Sequence, residues 1–166
     1  MTNALWGRAP SAMHCLACKK ENTRRAGWFE LSGNAMTGSS IDFHRCLECG
    51  AGQIERASHD YFGAFDDDPD PTRDWDWYPL SPADAEALER FLLAHCPAPL
   101  DPKCGCALHA HLEDQVRRLP FAPWPGSPGD PLARSGYVHP TRVVIAGGTV
   151  RLVRGCADRH TGDALL

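Results

Sequence analysis

Seven of the eight cysteines in this 166-residue chain fall into two groups. The first group is a pair of Cys-x-x-Cys steps, Cys15-Leu16-Ala17-Cys18 and Cys46-Leu47-Glu48-Cys49, the second followed directly by Gly50. Two intervening residues let one tight turn aim both sulfurs at the same ion. Two such turns complete the tetrahedral shell of thiolates that zinc takes. Gly50 supplies the backbone freedom that the end of such a turn needs. Four thiolates fill the shell, so zinc at Cys15, Cys18, Cys46 and Cys49 is expected to be structural rather than catalytic. Buried thiols or two disulfides are the competing chemistry; matched pairs on either side of a hairpin pattern favour metal.

The second group is Cys96, Cys104 and Cys106, followed by His109 and His111. Three cysteines and one histidine also form a structural zinc set. Gly105 lets the chain fold sharply between two of the sulfurs. His109 is turned by about 100° from the apolar line through Leu108 and Leu112 if this stretch is helical. It is therefore free to be a ligand, and is preferred over His111. The spacing is irregular, and three buried thiols with two surface imidazoles would also satisfy it.

These ligands need elements to position them. Between the first two pairs, Trp28–Leu31 and Ile41–Arg45 read as strands joined by a turn-rich loop from Ser32 to Ser40, and a third strand follows near Gln53–Ala57. Strand, loop and strand held between two Cys-x-x-Cys turns resembles the zinc ribbon superfamily, over residues 13–58 only. The resemblance implies zinc and a small antiparallel sheet. It implies no particular activity, because ribbons serve nucleic-acid binding, protein docking and scaffolding alike.

Ser81-Pro82-Ala83-Asp84 is a helix start, with Ser81 to cap, Pro82 at the first position and Asp84 completing a capping box. That helix is expected to end near His95, before Pro97. A second runs from about Leu108 to Leu119 with Leu108, Leu112, Val116 and Leu119 on one face. The two are expected to form an antiparallel hairpin stapled by the second zinc. Pro120 to Pro131 reads as an extended strap. Thr141–Ala146 and Thr149–Arg154 read as a β-hairpin closed by Gly147-Gly148, with Val143 opposite Leu152 and Ile145 opposite Val150. The expected class is α+β, divided as 1–60 (ribbon), 61–80 (acidic aromatic loop), 81–119 (helical hairpin) and 120–166 (strap and β-hairpin).

Charge narrows the function. The net charge of −4 disfavours a surface devoted wholly to nucleic acid. Lys19, Lys20, Arg24 and Arg25 could contact phosphate, or could simply offset the negative charge of a zinc–thiolate centre. Asp66, Asp67, Asp68 and Asp70, with Trp75 and Trp77 beyond them, form the candidate protein-binding segment. The Arg-rich C-terminal hairpin could lie against that acidic run or form a nucleic-acid or acidic-partner face. No G-x-S-x-G, P-loop or H-E-x-x-H is present, and Cys156 with His160 is a poor catalytic signature. An N-terminus without a signal-peptide pattern and no long apolar run point to a cytoplasmic protein without a membrane span. The expected function is a zinc-stabilised interaction protein whose partner is another protein, for instance a basic toxin or nuclease that it inhibits. The alternatives are a nucleic-acid-binding ribbon, or a zinc enzyme if only the three cysteines of the second group bind.

Overall fold

Ile41-Asp42-Phe43-His44 alternates apolar and polar residues, and the two-residue period of a strand sends the two kinds to opposite faces. The computed structural model, which describes residues 14–33, 37–60, 72–118, 136–138 and 140–155, builds its main sheet on that pattern. Strands β1 (Thr23–Gly33), β2 (Thr37–Cys46), β3 (Gly52–Asp60) and β4 (Thr72–Leu80) form an antiparallel meander in chain order. A short β5 (Gly136–Val138) adds to β4 in parallel. The fold is α+β: helices α1 (Pro82–His95) and α2 (Ala107–Arg118) join this sheet and a separate hairpin of β6 (Thr141–Ala146) and β7 (Thr149–Arg154).

One core unites them. Phe29, Ile41, Phe43, Ile54 and Tyr78 from the sheet meet Leu88 and Leu92 of α1, Leu112 and Val116 of α2, and Val150 and Leu152 of β7. The helices were expected to pack mainly on each other. Instead α1 lies on β6 and the sheet, and α2 on β1 and β7. The sheet offers a wide apolar face, and burying both stripes against it removes more apolar area from water than helix–helix contact alone.

The helix start at Ser81 is as read: its Oγ accepts from the Asp84 N–H at 3.1 Å, with Pro82 in the first turn. The expected capping box takes another form: the Asp84 carboxylate accepts from the Ser81 hydroxyl at 2.9 Å, and it also reaches beyond the helix. It accepts from Arg142 Nε at 2.8 Å and from the Val143 N–H at 3.2 Å, fastening β6 to the helix. The β6–β7 register is also as read, with Val143 opposite Leu152 and Ile145 opposite Val150, although Ile145 is exposed.

The reading of 61–80 as a loop needs correction at its end, because Thr72–Leu80 is strand β4. The Asp-Trp alternation from Asp74 to Trp77 is a two-residue period, and its acidic composition masked the strand signal. Trp77 is 7% exposed and so is no surface anchor. Asp66, Asp67, Asp68 and Asp70 lie outside the described residues, as do the Trp75 side chain, the Pro120–Pro131 strap, Leu119, Cys156 and His160.

Close approach of α1 to the sheet depends on Gly52. A Cβ there would stand 2.6 Å from Ala85 Cβ and 2.9 Å from the Phe43 ring. Both neighbours are buried, so neither can swing away. Gly52→Ala is expected to lower unfolding free energy by about 1–3 kcal/mol in denaturant titration. No loss would mean that α1 does not seat here.

Candidate metal centres

Each cysteine pair occupies a turn with the same construction. In the first, the Lys19 N–H donates to the Cys15 carbonyl at 2.8 Å and Lys19 takes a φ of 64°. In the second, the Gly50 N–H donates to the Cys46 carbonyl at 3.1 Å and Gly50 takes a φ of 74°. The left-handed residue is glycine in one turn and lysine in the other, and the lysine bears the steric cost of that region. The first turn precedes β1 and the second links β2 to β3, so the sheet brings them together. Gln53 of β3 pins the first turn: its Oε1 accepts from the Leu16 N–H at 2.9 Å, and its Nε2 donates to the His14 carbonyl at 3.2 Å.

The result is a four-sulfur cluster. Ligand atoms of Cys15, Cys18, Cys46 and Cys49 all lie within 4.8 Å of one another, with Cys15–Cys49 and Cys18–Cys46 Sγ separations of 3.6 Å. A tetrahedron of Zn–S bonds of about 2.3 Å has edges of about 3.8 Å. A disulfide needs about 2.05 Å. The separations fit a shared ion and not cross-links.

The second cluster is Cys96, Cys104, Cys106 and His109, again within 4.8 Å. Cys96 Sγ lies 3.8 Å from that of Cys104 and 3.7 Å from that of Cys106. His109 Nδ1 lies 3.2 Å from Cys96 Sγ and 3.3 Å from Cys106 Sγ. Its other nitrogen, Nε2, is 2.8 Å from the Trp28 carbonyl. A carbonyl only accepts, so the proton sits on Nε2 and Nδ1 keeps its lone pair for a metal. His111 is exposed and reaches the Val150 carbonyl instead, at 2.8 Å. Four donors converge, which leaves no vacant position in a tetrahedral shell.

Without a cation, the thiols of each cluster differ widely in how readily they ionise. Burial pushes Cys15 and Cys96 up to about 12. Burial also raises Cys46, but the Cys49 and Glu48 N–H groups and neighbouring thiols outweigh it and bring it to about 7. Cys106 is likewise brought to about 7, against burial, by the His109 N–H, the His109 ring and its sulfur neighbours. Thiols packed this closely cannot all ionise unless a cation sits among them. The residues fit zinc at both clusters.

The cations near the first turn are matched by the protein's own acids. Lys20 Nζ is 3.4 Å from Glu48, which Asn22 also bonds at 2.8 Å. Arg24 and Arg45 share Glu89 of α1. Arg25 Nε meets Asp42 Oδ1 at 2.7 Å, off the hydrogen-bonding line, and its guanidinium lies 4.4 Å over the Trp28 ring.

Sequence reasoning missed the sheet face away from the helices. Register places Trp28, Asp42, Glu55 and Trp77 side by side across four strands. Asp42 and Glu55 are 7% and 9% exposed. Burial, then the nearby Asp42 charge, raises Glu55 to about 7 although Trp77 hydrogen-bonds it. Burial likewise raises Asp42 against the Arg25 charge. The alternation in β2 reads as a wet face, and nothing local in the sequence announces that it is covered.

Compared with known proteins, the chain matches no family model, no curated protein and no solved structure. The chemistry therefore rests on the clusters themselves. Among the described residues no helix is long and apolar enough to cross a membrane.

Proposed function

We propose that this protein is a zinc-stabilised interaction protein. Two zinc ions, one in each closed set, hold the chain in shape so that its surface can bind another protein. The observation that carries the metal assignment is the His109 imidazole. Its proton is committed to the Trp28 carbonyl and its free nitrogen is turned to three sulfurs. Closed shells support a structural role over a catalytic one.

A protein partner is favoured over nucleic acid by charge. Lys20, Arg24 and Arg25 each face a carboxylate of the same chain. Neutralising several phosphates needs surplus positive charge, which these pairs consume. The partner-facing segment in this reading is Asp66, Asp67, Asp68 and Asp70, with Trp75 following in sequence, and the matching partner is a basic protein such as a toxin or nuclease that the acidic run would mask.

Elemental analysis of the purified chain is expected to give two zinc ions per chain. Capture of a basic partner by the native chain is expected to fall about tenfold when Asp66, Asp67 and Asp68 are changed to Asn, as loss of a complementary charged patch requires. Equal capture by both chains removes the run from the interface. Retention on mixed DNA or RNA that weakens steeply with added salt would favour the nucleic-acid alternative instead.

A further inference from the structure

Among the described residues, strand β1 stands at the edge of the main sheet. An edge strand presents unpaired N–H and C=O groups that readily recruit another strand, and proteins cover or blunt such edges. Here the cover comes from the second metal cluster. The Trp28 N–H donates to the Pro99 carbonyl at 2.8 Å, and the Trp28 carbonyl accepts from His109 Nε2 at 2.8 Å. Pro99 lies between ligands Cys96 and Cys104, and His109 is itself a ligand. Both outward-facing backbone groups of one edge residue are thus satisfied by the segment that the metal would gather.

The pairing of β1 with β2 breaks at this place. The register shifts between Arg25 and Gly27 and again between Trp28 and Glu30. Bulges weaken a ladder locally and re-aim the strand. Trp28 therefore depends more on its outer partners than a residue in a regular ladder would. Phe29, next in sequence, sets its ring edge-on to His109 with centroids 6.1 Å apart, adding a packing contact to the two hydrogen bonds.

We infer that the Cys96, Cys104, Cys106 and His109 site is a zinc-sensitive latch: with metal bound it clamps the edge of β1 at Trp28, and without metal it releases that edge while the rest of the sheet holds. The inference rests on the metal assignment made above for this site. Metal on Nδ1 fixes the Nε2–H tautomer that the Trp28 carbonyl needs. Without metal, the 96–106 segment keeps three short-range bonds of its own, Asp101 N–H to the Ala98 carbonyl at 3.1 Å, Cys104 N–H to the Asp101 carbonyl at 3.0 Å and Lys103 N–H to Asp101 Oδ1 at 2.9 Å, and none of the three reaches β1. The sheet interior keeps its own support, because Ile54 and Tyr78 are fully buried in the common core.

The test is amide hydrogen exchange on the full-length chain, read at Trp28 and at Ile54, with zinc content measured on the same sample. In Cys104→Ala, zinc is expected to fall from two ions to one and Trp28 protection to drop at least about tenfold, with Ile54 protection within about twofold of wild type. Zinc falling to one with Trp28 protection unchanged overturns the latch and leaves the metal assignment standing. Zinc content unchanged in the variant overturns both. Should the variant lose protection everywhere, wild-type protein stripped by chelator to one zinc per chain decides. Trp28 opening ahead of Ile54 supports the latch, and simultaneous loss at both overturns it.

Discussion

Removing metal from this protein at neutral pH is expected to lower its melting temperature by about 10 °C or more, and returning zinc to restore it. The reason lies in how little apolar packing holds the four-cysteine cluster. Its buried company is Cys15, Cys46 and Ala51, with Cys18 partly buried. One alanine and a few sulfurs bury too little apolar surface to order two turns. Zinc held by thiolates in small domains contributes on the order of 10 kcal/mol, comparable to the net stability of a whole domain. Cys46→Ala is therefore expected to cost more than Cys104→Ala, whose cluster leans on the main core through Cys96. Proton competition sets the sign with pH. Ligand thiols must deprotonate to bind, so a chelator should act more readily as pH falls. Calorimetry with and without chelator checks this. A metal-free chain that melts at the same temperature would remove the metal from the account of the fold.

The second large effect belongs to Glu55. Burial, followed by the adjacent Asp42 charge, raises its carboxyl from the ordinary 4.5 to about 7 in the folded protein. A raised folded value means the native state holds the proton more tightly than the unfolded chain. Its contribution is intact below about 4.5 and is lost as pH rises through about 7. Each pH step between those values costs about 1.4 kcal/mol, so the full loss approaches about 3 kcal/mol above pH 7. Glu55→Gln keeps an acceptor for the Trp77 indole and cannot ionise. The variant is expected to match wild type near pH 5 and to exceed it by up to about 3 kcal/mol near pH 8. Comparing the two chains at each pH cancels the opposite trend of the metal sites. A stability gap that does not widen with pH would show that the Asp42–Glu55 pair is hydrated.

Legibility in the sequence followed the range of the physics. Short-range rules worked: two residues between cysteines, a serine before proline at a helix start, and Gly147-Gly148 between alternating strands each specify local geometry. The hairpin register at Val143–Leu152 came out as read because a two-residue turn fixes it. The Asp-rich composition hid β4, since charge repulsion argues for a loop while the two-residue alternation argues for a strand. The alternation won because Trp77 and Tyr78 gain more from burial than the neighbouring buried Asp76 loses.

The sequence by itself settled which atoms could hold metal, because thiolate and imidazole donors at short spacing leave few alternatives. It also settled the α+β class, since period-two and period-3.6 patterns occupy separate stretches of the chain. Only the tertiary structure decided that His109 and not His111 completes the second cluster, because the choice turns on a carbonyl 81 residues away in the chain. It alone buried Asp42 and Glu55 side by side, because cross-strand neighbours come from register and cover, and neither is written in any local run of residues.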